Sequence, residues 1–105
     1  MPRYLIQGQY SEEGLRSILN EGTSQRASVL SGLIRTLGGG VEAFYYALGE
    51  TDVFIILNLP DNVNAGAFSI AANASGLVKV RTTVLLSPEE LDQATERAAK
   101  FREAG

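Results

Sequence analysis

The feature of this sequence that most constrains its fold is a change of hydrophobic period, from two residues to about 3.6 and back. Apolar residues alternate with polar or small ones over Arg3–Tyr10, which predicts a β-strand. From residue 11 to residue 37 the apolar side chains instead share one helical stripe, which ends at Gly38-Gly39-Gly40. The chain therefore begins with a strand followed by a long helix.

The rest of the chain repeats this change of period. Residues 41–48 and 53–59 form two predicted strands around the short turn Gly49-Glu50-Thr51-Asp52, as in an antiparallel hairpin. A second helix follows Asp61, a fourth strand spans residues 78–86, and Ser87-Pro88-Glu89-Glu90 starts a short terminal helix. The order βαββαβ predicts an α+β, ferredoxin-like fold, with four antiparallel strands in the order 4132 and the helices on one face. With 105 residues, the chain is expected to form a single domain.

Two interpretations of the long helical segment are open, and they differ in what surrounds Arg26. If the helix is continuous, Arg26 lies near the centre of the apolar stripe, one turn after Gly22. A guanidinium buried there needs an anionic partner, either a carboxylate or a ligand. If Gly22 breaks the helix, with Thr23 or Ser24 capping the second half, Arg26 turns to solvent or to a structural ion pair.

The two faces of the predicted sheet differ in polarity. One alternate set of strand residues is apolar, as expected for a face covered by helices. The other set mixes aromatic and polar side chains, and we assign the second strand's Phe44 and Tyr46 to it. Such an aromatic patch usually marks an interface, so we expect a homodimer or higher homo-oligomer. Two packed sheets would enclose a polar-lined interior, or form a plain interface whose polar groups satisfy each other. The interface candidates are Gln7, Phe44, Tyr46, Phe54, Ile56, Asn58 and Arg81.

Composition excludes several kinds of chemistry. The chain has no Cys and no His, so we expect no thiol nucleophile, no metal site and no cofactor held by either residue. A net charge of −3 argues against binding to nucleic acid or to an anionic membrane. No signal peptide or membrane-spanning segment is predicted, so a cytoplasmic location is expected.

The remaining side chains that could carry chemistry are tyrosines and aspartates. Tyr4 and Tyr10 could line a pocket, although buried tyrosines often just pack and form one hydrogen bond. Asp52 and Asp61 could pair with Arg26, act as bases or bind a hard cation. Each also has an ordinary structural role, since Asp52 ends the hairpin turn and Asp61 is placed to cap a helix.

The chain resembles the small bacterial proteins that contain a GYD domain. Segments that carry the resemblance are Tyr4-Leu5-Ile6, Tyr10-Ser11, Gly22-Thr23-Ser24-Gln25-Arg26, Gly38-Gly39, Glu42-Ala43-Phe44-Tyr45, Leu59-Pro60-Asp61-Asn62, Ala74-Ser75-Gly76 and Thr82-Thr83-Val84-Leu85-Leu86. The family typically has Gly-x-Tyr-Asp in the hairpin turn, where this chain has Thr51 in place of the tyrosine. The resemblance implies a ferredoxin-like fold and a likeness to dimeric α/β-barrel proteins, a group with cofactor-independent monooxygenases, isomerases and simple ligand binders. It singles out Arg26, Asp52, Asp61 and Thr83 as site candidates.

These observations support three hypotheses of function. The first is a homo-oligomeric binding or stress-related protein that holds a small, partly apolar, anionic molecule between helices and sheet. Arg26 would meet the anion, and Tyr4 and Tyr10 would shape the pocket. The second is a cofactor-independent monooxygenase or isomerase, which needs a titratable base in a closed cavity. The third is a structural or regulatory assembly module that binds no ligand.

Overall fold

The computed structural model describes residues 1–104, which form one four-stranded sheet and four helices. In chain order the elements are β1 (Arg3–Tyr10), α1 (Glu12–Glu21), α2 (Thr23–Thr36), β2 (Gly40–Tyr46), β3 (Val53–Asn58), α3 (Asn62–Ala74), β4 (Val78–Leu85) and α4 (Pro88–Ala104). The strand order is β2-β3-β1-β4, and every neighbouring pair is antiparallel. This is the predicted order 4132 seen from the opposite edge of the sheet. The α+β, ferredoxin-like prediction is therefore confirmed.

The core lies between the sheet and the helices on one of its faces. Tyr4 and Ile6 of β1 and Leu57 of β3 are almost fully buried there. Ile34 reaches them from α2, and Leu59 follows β3 at the end of the sheet. Each such aliphatic side chain stabilises the fold by about 1.5–3 kcal/mol through removal from water.

Gly22 breaks the long helical segment into α1 and α2. Its φ angle is 92°, in the left-handed region that favours glycine, and it ends one helix and precedes the next. Of the two interpretations of this segment, the structure therefore shows the one in which Gly22 breaks the helix. The predicted capping of α2 by Thr23 or Ser24 is wrong, because Gly22 holds the N-cap position and supplies no side-chain bond.

A β-bulge in β2 reverses the face on which its later residues lie. Val41 pairs with Leu57. Ala43 lies two residues further along β2 but pairs with Ile56, which is only one residue from Leu57 in β3. Glu42 is the extra residue, and it forms an ion pair of 2.8 Å with Arg3 at the open face, the face without helices. An extra residue shifts the alternation of the strand by one position.

The assignment of Phe44 and Tyr46 to the open face was therefore wrong. Beyond the bulge, Phe44 pairs with Ile55 and lies on the helix-covered face, and the hydroxyl of Tyr46 bonds to α2. Tyr45, which pairs with Phe54, takes their place on the open face and is 70% exposed. A strict period of two cannot reveal such a shift, since the bulge has no signature in this sequence.

The terminal helix α4 begins as predicted and is longer than expected. The backbone N–H of Glu90 donates to the Ser87 hydroxyl at 3.1 Å, and the Ser87 N–H donates to the Glu90 carboxylate at 2.9 Å. This capping box starts a helix of 17 residues, none of them buried. The helix extends away from the sheet, which contributes to a longest dimension of 58 Å.

Candidate functional site

An apolar cavity of about 230 Å³ lies between the sheet and the pair α2 and α3. It is partly open to solvent, and helix α3 forms a thin wall because it is built mostly of alanine and other small residues. Large side chains that would fill the space are missing from this wall except for Phe68. The apolar lining consists of Ile6, Leu30, Leu33, Phe44, Val53, Ile55, Phe68, Ala71, Ala72, Val78 and Val80.

Arg26 is one of three polar residues in the cavity wall. It lies in the first turns of α2, and its side chain is half-buried. Within residues 1–104 its guanidinium takes part in no ion pair and in no hydrogen bond. Although the helix breaks at Gly22, Arg26 is not fully exposed to solvent and is not part of a structural ion pair with any described residue. Its charge is available to a molecule in the cavity.

Tyr10 is the second polar group of the wall, and its phenol is a neutral donor. Burial is the main reason why the pKa of Tyr10 is raised to about 12; the nearby Tyr46 and Asp52 contribute to the rise, and the charge of Arg26 opposes it. The phenol therefore keeps its proton at neutral pH. In the part of the chain that the structure describes, its oxygen has no hydrogen-bond partner.

Ser75, the third polar residue, is already engaged with the backbone. Its hydroxyl donates to the carbonyl oxygen of Ala72 at 2.7 Å and accepts from the N–H of Leu77 at 3.1 Å. These bonds close the C-terminus of α3. Two polar groups, the guanidinium of Arg26 and the phenol of Tyr10, therefore remain free to bind a molecule in the cavity.

Asp52 lies beside this site but has a structural role. Its carboxylate accepts a hydrogen bond of 2.9 Å from the backbone N–H of Tyr10, and its own N–H donates to the carbonyl of Gly8 at 2.9 Å. The hairpin turn is thereby tied to the end of β1. Thr51, where the family usually has tyrosine, lines a separate polar groove with Gln7 and Lys79 and does not reach the cavity.

The other predicted ligand-binding residues lie elsewhere. Tyr4 is buried in the core and does not line the cavity, and its hydroxyl donates to Oδ1 of Asn62 at 2.7 Å. Asp61 caps α3 by accepting from the N–H of Asn64 at 2.9 Å, and this bond holds the pKa of its carboxyl below the usual value. Thr83 pairs with Leu5 and is exposed on the open face. Of the six candidates, the structure brings only Arg26 and Tyr10 into the cavity wall.

The open face of the sheet carries the remaining interface candidates. Arg81 donates to the side-chain oxygen of Gln7 at 2.8 Å, across the pair β1–β4. Phe54, Ile56 and Asn58 follow on β3, with Phe54 37% exposed. No helix of the described chain covers this face, so an aromatic and polar surface faces solvent in the single chain.

Sequence reasoning missed two aromatic residues of the cavity wall, Phe44 and Phe68. The bulge in β2 was not predicted, so Phe44 was assigned to the open face. Phe68 was not singled out. A usable signal for Phe68 exists in the sequence, because it is the only aromatic residue of an alanine-rich helix. Such a residue must fill space that its small neighbours leave open.

Residues 1–104 contain no cluster of three or more acidic side chains arranged to hold a metal ion. Over the same residues, no helix is both long and apolar enough to cross a membrane.

Comparison with known protein families matches residues 4–95 to the GYD domain. The matched region includes β1 from Tyr4 onward, the other three strands, both helices that enclose the cavity and the first half of α4. No curated protein and no solved structure matches the chain. Because the match covers most of the sequence, this chain belongs to the GYD domain family.

Proposed function

We propose that this protein is a homo-oligomeric binding protein whose cavity holds a small molecule with an apolar body and an anionic head. The observation that carries the proposal is the position of Arg26. Its unpaired guanidinium lies in the wall of a cavity whose other surfaces are almost all apolar. A half-buried charge without a partner is costly, and a bound anion would offset that cost.

The two free donors fit one head group. The guanidinium offers several N–H groups, and the neutral phenol of Tyr10 offers one O–H. A carboxylate or a similar oxyanion accepts from both, whereas a cationic head would be repelled by Arg26. The apolar body would contact side chains such as Leu30, Phe44 and Phe68.

The size of the cavity limits the body of the ligand. A volume of about 230 Å³ holds about eight non-hydrogen atoms, at about 30 Å³ for each. The apolar chain of octanoate and the ring of a small aromatic carboxylate meet this limit, with the carboxylate at Arg26, and larger amphiphiles would have to extend through the opening.

Binding is favoured over acid–base catalysis by the composition of the wall. In the described chain no carboxylate lines the cavity, and the phenol of Tyr10 is a poor acid and a poor base near neutral pH. The carboxylate of Asp52, which contributes to the raised pKa of Tyr10, already accepts a hydrogen bond from the backbone N–H of Tyr10.

Assembly through the open face is the second part of the proposal. Tyr45, Phe54 and Ile56 form its apolar centre, and Gln7 and Arg81 form a polar border. A second copy of the chain presents the same surface, so two sheets could pack with both patches covered.

Calorimetric titration with octanoate and with 1-octanol tests the binding proposal. Both share an apolar chain that fits the cavity, and only octanoate has a charge for Arg26. Arg26→Gln should weaken octanoate binding about tenfold or more, since a charged hydrogen bond contributes about 1.5–3 kcal/mol, and should leave octanol binding unchanged. Arg35→Gln, on the exposed side of the same helix, is the matched control and should change neither.

A cavity-filling variant separates the cavity from other sites. Ala72→Leu places a larger side chain in the wall and should abolish binding of both probes, without unfolding the chain. If neither probe binds the wild type, the binding proposal fails. If Arg26→Gln and Arg35→Gln weaken octanoate equally, Arg26 is not part of the site.

A further inference from the structure

The terminal helix α4 has no partner in the single chain. Its 17 residues include none that is buried, although Leu91 is apolar and 53% exposed and Phe101 is aromatic and 81% exposed. In folded proteins most of a helix's stability comes from the packing of its apolar face against a partner rather than from intrinsic propensity. Its apolar residues therefore need a surface that the rest of this chain does not provide.

The apolar residues of α4 form one seam. Leu91, Ala94, Ala98 and Phe101 follow each other at intervals of three, four and three residues. This is the spacing of the buried positions in a coiled coil. The seam has large side chains at its two ends and alanines in its centre, so a second helix could approach closely at the middle.

The charges of α4 are divided along its length. Glu89, Glu90, Asp92 and Glu96 lie in the first half, whereas Arg97, Lys100 and Arg102 lie in the second, where Glu103 is the one acidic exception. The division matches the dipole of a single helix. It also makes the helix complementary to a reversed copy of itself, and repulsive toward a copy that runs in the same direction.

We propose that α4 pairs in an antiparallel arrangement with α4 of a second copy of this chain, about a two-fold axis between Ala94 and Ala98. In this register Leu91 packs against the second copy's Phe101, and Ala94 against its Ala98. Each large side chain meets a large one, and each alanine an alanine. The seam is thereby buried on both helices.

The same register pairs opposite charges beside the seam. Glu90 lies near the second copy's Lys100, and Asp92 lies near its Arg102, each twice by symmetry. Arg97 approaches its own equivalent near the axis, which is the one like-charge contact of the arrangement. Parallel pairing would instead bring the two acidic halves together.

Cysteine cross-linking tests the arrangement, because the chain has no native Cys. Ala94→Cys and Ala98→Cys proteins are prepared separately in the full chain, then oxidised alone and as a mixture. The antiparallel register predicts a disulfide-linked dimer in the mixture and little in either protein alone. Identical positions lie about 6 Å further apart along the axis, at 1.5 Å per residue, which is too far for a disulfide.

Glu96→Cys is the matched control. It lies at the level of the axis but on the side of α4 opposite the seam, so it should not cross-link with itself. Efficient linking of Ala94→Cys alone would mean parallel pairing, and the proposal would be overturned. Absence of linking in the mixture, or linking of Glu96→Cys to the same extent, would overturn it as well. The readout depends on α4 alone and is independent of the cavity and of the open face.

Discussion

The hydroxyl of Tyr46 donates a 3.0 Å hydrogen bond to the carbonyl oxygen of Thr23. Thr23 is the first residue of α2, so this bond joins the end of β2 to the start of the helix that carries Arg26. Tyr46 also packs edge to face against Phe44, with ring centroids 5.1 Å apart. Tyr46 thus joins the start of α2, the helix that carries Arg26, to Phe44 in the wall of the cavity.

Removal of this hydroxyl should loosen the start of α2. Tyr46→Phe keeps the packing against Phe44 but loses the bond, so we expect a loss of about 0.5–1.5 kcal/mol in the free energy of unfolding. Tyr45→Phe is the matched control, because its exposed hydroxyl lies on the other face. Urea denaturation of the two variants measures the difference. Equal stabilities would show that the Tyr46 bond contributes nothing.

Two helical glycines should respond in opposite ways to the same substitution. A Cβ at Gly14 would collide with the carbonyl oxygen of Leu77, where α1 passes close to the start of β4, so Gly14→Ala should destabilise by about 1–3 kcal/mol. A Cβ at Gly32 meets nothing, so Gly32→Ala should stabilise α2 by up to about 1 kcal/mol. Thermal unfolding of both variants compares them. A stabilised Gly14→Ala would contradict the close packing of α1.

The phenol of Tyr10 should make the fold sensitive to strong alkali. Its folded pKa of about 12 lies above the ordinary value of 10.0, mainly because of burial. The stabilisation by the neutral phenol is therefore complete below pH 10 and is lost as pH rises from 10 to about 12. Ultraviolet titration of tyrosinate should show a late transition that Tyr10→Phe removes. A titration curve that Tyr10→Phe leaves unchanged above pH 11 would contradict this assignment.

A charge on the open face should prevent assembly. Phe54→Asp would place an unpaired carboxylate in the centre of the proposed interface, so sedimentation velocity should show a smaller species than the wild type. Leu48→Asp, at a fully exposed position in the hairpin turn, is the control and should sediment like the wild type. If the wild type is itself monomeric, or if both variants behave alike, the open face is not the interface.

The fold was predictable from the sequence because its signals are local. Alternation in β1, the caps at Ser11 and Asp61 and the capping box at Ser87 each follow from side-chain chemistry within a few residues. The bulge at Glu42 was not predictable, because it depends on how β2 meets β3 rather than on any residue type. That single inserted residue accounts for the wrong face of Phe44.

The site was predictable only in part. Arg26 stood out as a cation among apolar residues, and the structure does place it in the cavity wall. The sequence could not show whether Tyr4 or Tyr10 would join it, because both lie on the same side of β1. Their surroundings differ, since Tyr4 is closed off by α3 and bonded to Asn62 while Tyr10 lies near the end of the strand.

The most direct test of the binding proposal is to locate octanoate on the protein by two-dimensional NMR of ¹⁵N-labelled chain. If the cavity is the site, the largest saturable shifts should occur at amides around it, including those of Arg26, Leu30, Ala72 and Ser75. The same titration of Arg26→Gln should need about tenfold more octanoate. Shifts confined to the open face or to α4, or no saturable shift at all, would contradict the proposal.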